Sequence, residues 1–335
     1  MKLLKSVLAC SLVMFSASVL AAEYEWKFQS SDQPGDDAFK YQEQWAKDVK
    51  SLSNGRIEIT VLGAGSVVEH NQTLDSIGMN IIQGDFTDPS YFSGKDPAFA
   101  LYGNLIGAWS DPKDLIDFMY NGGGFDVANE LLNKYGVQLL AISTVGGESL
   151  VSKKPIHNIK ELQGVKVRAP EGLVQALFKG LGAAPVNLPG SEVYTSLEKG
   201  VIDASDYSIF ARNQANGMND IAKYPIYPGW HSMPMNQVTL NKKIYDSLPQ
   251  DLKDVLAKAG KQYAEGFLGM HQKLDEEAIK NKKADITVVS WSPEEVAKVR
   301  EVATQMWPEW AKKSPMSEKF YNTVMKYLKD KGMIK

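Results

Sequence analysis

The stretch 163-QGVKVRAPEG-172 sets an arginine, Arg168, at the end of an alternating run and stops the run at Ala169-Pro170. Alternation of Val165 and Val167 with Lys166 and Arg168 reads as a short strand. A guanidinium at a strand end is either a solvated side chain or an anion receptor. The receptor reading has a chemical basis: the planar fork matches a carboxylate with two parallel hydrogen bonds. Four more residues fit a binding constellation. Asn187 follows a proline in the strand-like run Pro185-Val186-Asn187-Leu188. Asp206 and Tyr207 end a strand read from Val201, and Trp230 sits in the rigid turn Tyr227-Pro228-Gly229-Trp230. Tyr91, in the polar and aromatic loop Thr87-Asp88-Pro89-Ser90-Tyr91-Phe92, joins the candidates. Aromatic walls around an ion pair exclude water and strengthen it. Taken singly, each has a plainer reading: Asp206 as a helix cap, Tyr207 and Trp230 as core.

Catalytic motifs are missing. The sequence holds no G-x-S-x-G elbow, no Walker A loop and no H-E-x-x-H pair. Its histidines, His70, His157, His231 and His271, are scattered and read as surface or satisfied residues rather than metal ligands. Gly63-Ala64-Gly65-Ser66-Val67-Val68 half-resembles a dinucleotide loop, but Val68 stands at the third glycine, so a turn is expected. A secreted enzyme acting on small acids would have to use Asp206 or Glu148 as its base.

The elements that must position these residues alternate between strand and helix. Tyr24, Trp26 and Phe28 alternate with polar residues, a helix period follows through Ala38, Tyr41, Trp45, Val49 and Leu52, and Ile57, Ile59 and Val61 form a second strand. Such a unit predicts a parallel pair. Ser247-Leu248-Pro249-Gln250 reads as a capping box opening a helix to about Lys280, with Leu252, Leu256, Tyr263, Phe267, Met270 and Leu274 inward. Ser292-Pro293-Glu294-Glu295 reads as a second box. The class is α/β, with ligand sites at the carboxyl ends of strands. Residues 1–22 read as a secretory signal peptide, with Lys2 and Lys5 before an apolar run. Cys10, the only cysteine, lies within it, so the mature chain would have no disulfide. Losing both lysines takes the net charge from −3 to −5, which speaks against nucleic acid as a partner. The length after the leader favours two lobes.

Four runs in order then carry a resemblance: Gly164-Val165-Lys166-Val167-Arg168, Leu181-Gly182-Ala183-Ala184-Pro185-Val186, Ser191-Glu192-Val193-Tyr194 and Gly200-Val201-Ile202-Asp203-Ala204. Together they resemble the DctP-type solute-binding proteins of TRAP (tripartite ATP-independent periplasmic) transporters. Tyr227-Pro228-Gly229-Trp230 resembles the subgroup that takes 2-oxo and 2-hydroxy monocarboxylates such as pyruvate and lactate. The resemblance implies a two-lobe periplasmic binding protein of type II-like fold with a long helix bridging the lobes. Lobe I would hold 23–146 and 236–275, and lobe II 147–235 and 276–335. It implies that Arg168 clamps the ligand carboxylate, with Asn187, Asp206, Tyr207 and Trp230 near it. The implied activity is periplasmic capture of a small organic acid for a membrane permease, without catalysis. Another carboxylate or a sulfonate, or service to an ATP-driven importer or a sensor, is the alternative. In that subgroup a cation often bridges ligand and protein, held in part by a glutamine and an acid. Here Gly147-Glu148 and His231-Ser232 stand at those places, so no cofactor is expected. Glu148 becomes a ligand-binding candidate, and Asp206 is left to hold either a cation or a ligand hydroxyl.

Overall fold

The computed structural model describes residues 22–170, 172–188 and 190–334; the leader reading, Cys10 included, falls on residues 1–21, outside them. Among the described residues nine strands form two sheets. The first has the order β2-β1-β3-β9-β4, from β1 Tyr24–Ser30, β2 Ile57–Leu62, β3 Gly84–Thr87, β4 Val137–Thr144 and β9 Met235–Asn241. The second has the order β5-β8-β6-β7, from β5 Ser149–Ser152, β6 Lys166–Arg168, β7 Ala184–Val186 and β8 Ala204–Ser208. This is the mixed α/β, two-lobe architecture.

The first unit folds as its periodicity dictates. β1 and β2 are parallel, in register from Tyr24 opposite Ile57 to Gln29 opposite Leu62. The Asp37–Leu52 helix connects them and buries Ala38, Trp45 and Val49. Trp45 meets Phe28 at 6.2 Å, Phe86 at 5.6 Å and Tyr263 at 6.0 Å between ring centroids. Aromatic pairs at this spacing add to the stabilisation from burial alone. One cluster thereby ties β1, β3, their helix and the long helix together.

The long helix runs Gln250–Lys280. Leu252, Leu256, Tyr263 and Phe267 are buried as expected, but Met270 and Leu274 are only partly buried. Past Phe267 the inner face passes instead to Leu268, His271 and Asp275. At Gly260 the helix lies so close to β4 that a Cβ would stand 2.7 Å from the Leu140 carbonyl oxygen. At its other end Asp275 accepts from the Ala211 N–H at 2.8 Å, in the helix Phe210–Ala215 that follows β8. One helix thus touches both sheets' elements, the bridging role anticipated for it.

Two readings of local structure need correction. Ser247 does not cap the long helix: the residue before its first turn is Pro249, without a side-chain cap, and Ser247 Oγ donates to the Ile244 carbonyl at 2.7 Å. The apolar pair Val201-Ile202 lies in a turn, both amides donating to the Ser196 carbonyl, so the strand begins at Ala204. The last helix, Pro315–Asp330, packs on the helix Pro293–Ala311 and on the helices Ala98–Gly103 and Gly124–Asn133. The second capping box does form, Ser292 Oγ accepting from the Glu295 N–H at 3.3 Å. Among the described residues no helix is long and apolar enough to cross a membrane.

Candidate functional site

Arg168 is held by its neighbours in the sheet. β6 lies between β8 and β7, parallel to both. Arg168 Nε donates to the Leu188 carbonyl, just beyond β7, at 3.0 Å, and Nη1 donates to the Asp206 carbonyl of β8 at 2.7 Å. Guanidinium has five N–H donors. Two are spent on orientation, and among the described residues the others have no protein acceptor. Val167, one residue back, is fully buried and anchors the strand. The half-buried Arg168 is therefore aimed by backbone and left with an open edge, the geometry an anion needs.

Beside it lies a buried cluster. One oxygen each of Glu148 and Asp206 and a ring nitrogen of His231 lie within 4.8 Å of one another. His231 Nε2 is 2.9 Å from Asp206 Oδ1. Burial pushes the Asp206 carboxyl up, but the hydrogen bond and charge of His231, a hydrogen bond with Glu148 and the Arg168 charge outweigh it and hold it below its ordinary value. An ionised carboxylate only accepts, so Nε2 carries the proton. Glu148 goes the other way: burial and the Asp206 charge push its carboxyl well up. Its Oε2 accepts from Ser232 Oγ at 2.5 Å, and Ser232 Oγ accepts from Asn104 Nδ2 at 2.8 Å.

The turn Tyr227-Pro228-Gly229-Trp230 is fitted against the same segment. A Cβ on Gly229 would fall 1.4 Å from the Glu148 carbonyl oxygen, so no side chain is possible there. The Glu148 N–H donates to the Ser232 carbonyl at 3.0 Å, closing the contact. Trp230 lies on Trp291 at 4.3 Å, with Phe178 at 6.0 Å and His231 at 5.5 Å. Its buried Nε1 has no partner among the described residues. Trp230 thus walls the cluster on one side. Tyr91, following β3 of the first sheet, stands edge-on to His70 at 4.4 Å. Its side chain is exposed, and desolvation and the Asp88, Asp32 and Glu148 charges raise its phenol while the Arg168 charge opposes them. Asp88 nearby is pushed up to about 6, by burial first, against hydrogen bonds from Ser90.

Arg168, Asp206, Glu148 and Trp230 thus come together, while the ring contact of Tyr91 is with His70. Asn187 is exposed, and among the described residues its side chain has no hydrogen-bond partner; it adjoins Leu188, whose carbonyl holds Arg168. Tyr207 points away from Asp206, as consecutive strand residues do, and packs on the cluster of Val151, Val193 and Leu197. Sequence reasoning passed over His231, Ser232, Asn104 and Asp88. His231 had one usable signal, its place directly after Trp230.

Two sheets bridged by one helix, with an oriented, incompletely paired arginine at a strand end, define a solute-binding protein. The chain belongs to the DctP family, described as bacterial extracellular solute-binding protein family 7, whose profile matches residues 28–314. A TRAP periplasmic solute-binding protein of Rhodobacter sphaeroides, solved in an apo open form, is 48% identical, with a TM-score of 0.81 over 92% of this chain and 98% of that one. One from Pseudoalteromonas atlantica, solved with sodium and pyruvate bound, is 26% identical, with a TM-score of 0.79 over 92% of this chain and 94% of that one. The monocarboxylate 2-oxoacid-binding periplasmic protein of Nostoc is 26% identical over 88% of this chain and 82% of its own. The chain is accordingly a TRAP-type solute-binding protein.

Proposed function

We propose that the chain captures a small 2-oxo or 2-hydroxy monocarboxylate between its two sheets, in the periplasm, and hands it unchanged to a TRAP membrane permease. The observation that carries this reading is the open edge of Arg168, fixed by two backbone carbonyls and left with N–H donors that have no protein acceptor. The acid's carboxylate docks there, Trp230 and Tyr91 exclude water, and a 2-hydroxyl donates to Asp206 while a 2-oxo oxygen accepts from the free edge of Arg168. The names of the Nostoc and Pseudoalteromonas relatives support the substrate class. The lobes we assign are 23–146 with 236–275, and 147–235 with 276–311, the last helix returning to the first lobe on the strength of its packing. Closure of one lobe on the other is favoured only by contacts the acid makes better in the closed form.

The Pseudoalteromonas relative holds sodium with its pyruvate, which raises the question of a cation here. Sodium and calcium are hard ions that need several free oxygen donors. In this cluster Asp206 Oδ1 is taken by His231, its carbonyl by Arg168 and Ser205 Oγ, and Glu148 Oε2 by Ser232. One oxygen of each carboxylate is thus engaged, while the Glu148, Asp206 and His231 donor atoms lie within 4.8 Å of one another, a spacing a metal ion could use.

A thermal-shift screen of small carboxylates and sulfonates tests the function. A true ligand at a hundredfold excess over its Kd adds about 2.7 kcal/mol of stability. Stabilisation by pyruvate or lactate is the expected result. Stabilisation by sulfonates alone would change the head group, and silence from every acid would refute the substrate class.

A further inference from the structure

Asn104 follows the helix Ala98–Gly103, and an asparagine at a helix end ordinarily bonds the backbone of its own helix. This one does not: both of its side-chain hydrogen bonds go to the segment after Trp230. Oδ1 accepts from the Met233 N–H at 3.3 Å, which turns Nδ2 toward Ser232, where it donates to Oγ at 2.8 Å. An amide nitrogen only donates, and a serine hydroxyl has one proton to give. Ser232 therefore gives its proton to Glu148 Oε2, at 2.5 Å. Donor and acceptor chemistry fixes the direction of this string whatever the charge of Glu148. One Glu148 oxygen is pinned, and with it the plane of the carboxyl that lies beside Asp206 and His231.

The same short segment backs the other wall of the cleft. A Cβ on Gly103 would stand 2.7 Å from Asp88 Oδ1 and 2.7 Å from the Ser90 nitrogen, the pair that caps the turn Pro89–Phe92 bearing Tyr91. The chain crosses from the first sheet to the second between β4 and β5, and returns between β8 and β9. These crossings are bound to each other: the Glu148 N–H donates to the Ser232 carbonyl at 3.0 Å, and Thr144 Oγ1 to the Pro234 carbonyl at 2.8 Å. Gly103-Asn104 thus meets the Tyr91 turn on one side and, through Ser232, both crossings and Glu148 on the other.

We infer that Asn104 is a positioning residue of the ligand site: through Ser232 it sets Glu148 against the first-lobe turn that bears Tyr91, so that the two walls of the cleft are held in register before an acid arrives. The inference rests on the cleft being the acid site proposed above. Groups held in place beforehand lose less freedom when a ligand binds. Asn104 acts on affinity through Glu148, and on the spread of lobe positions through the crossings.

The experiment has two arms on the full chain. In the first, calorimetry reads the affinity for pyruvate and for lactate. Asn104→Ala and Ser232→Ala should each weaken binding about tenfold. Both together should weaken it by little more than either alone, since each cuts the same string. Losses that multiply to about a hundredfold would show two separate roles and overturn the inference. So would an Asn104→Ala protein whose melting temperature falls while its affinity stays within about twofold, the mark of a merely structural residue. Ser232→Ala removes a single oxygen and carries the test should Asn104→Ala not fold. The second arm needs no ligand. Spin labels on Lys47→Cys and Lys179→Cys, exposed positions on the helices Asp37–Leu52 and Leu173–Gly180, report the spread of interlobe distances. The background is Cys10→Ser, because Cys10 is the only cysteine. Asn104→Ala and Ser232→Ala should broaden the distribution, and an unchanged distribution overturns the inference. If the wild type binds neither acid, the substrate reading has failed, and the ligand-free arm alone decides Asn104.

Discussion

Each sheet buries an aspartate, and the two are treated in opposite ways. Asp85 on β3 has no exposed surface, and accepts from Thr73 Oγ1 at 2.7 Å and Thr239 Oγ1 at 2.5 Å. Its partners are neutral, so burial wins over the hydrogen bonds and pushes its carboxyl up to about 6. Asp206 on β8 is almost as buried, but His231 and Arg168 reverse the outcome and hold it low. Asp85 ties β3 and β9 to the helix Thr73–Gly78, and each of its oxygens has a hydroxyl donor. Around Asp206 donors are left over: the free edge of Arg168 and the indole of Trp230. Burial of a carboxylate therefore does not mark a binding site. Charged partners with spare hydrogen-bonding capacity do.

The largest effect should come from removing the cation of the second sheet. Arg168→Ala is expected to cost about 3–5 kcal/mol of binding, a loss of several hundredfold or more by calorimetry. The melting of the ligand-free protein should change far less. Unchanged affinity would erase the distinction between the two aspartates.

The next effect separates them by pH. Asp85 is raised above its unfolded value, so the folded protein binds the extra proton between about pH 4 and 6. Its contribution to stability is fully present below pH 4 and is lost as pH rises through 6, by up to about 3 kcal/mol. Urea unfolding across this range reads it out, and Asp85→Asn should flatten that part of the profile. Asp88 and Asp275, also raised to about 6, keep a slope of the same sign. Asp206 has the opposite sign: its contribution is present above its unfolded value and is lost as pH falls through the depressed folded one. Asp206→Asn should thus remove stability near neutrality that Asp85→Asn leaves in place.

The smallest effect concerns the join between the regions. Arg212, in the helix after β8, reaches Asp32 at 2.9 Å and Asp36 at 2.8 Å in the loop after β1. Its side chain is 34% exposed, so solvent screens the pair. Arg212→Ala should lower stability by only about 1 kcal/mol, and added salt should shrink the difference.

Much of this was legible in the sequence because it is local. Alternation in 24–28 and 57–61 and the three- and four-residue steps of 38–52 dictate strand–helix–strand, and β1 and β2 pair in parallel as that unit requires. Arg168 could be singled out because a proline ends its strand. Where the sequence misled, a local pattern was outbid by a nearby backbone bond: Ser247 turned back to Ile244, and the amides of Val201 and Ile202 closed a turn on Ser196. What could not be read was contact across distance. His231 meets Asp206 from 25 residues away, and Asn104 meets Ser232 from 128. No periodicity encodes such pairs; they exist only once both sheets have formed. Tyr207 shows the converse, a neighbour of Asp206 in sequence that the strand turns away from it.

The account stands most directly on where an acid's carboxylate goes. A crystal structure of the protein with the acid that stabilises it most should place that carboxylate on the free guanidinium edge of Arg168, with both carbonyl bonds of Arg168 intact and Trp230 against the ligand. An acid bound elsewhere, or an Arg168 swung away to solvent, would contradict it.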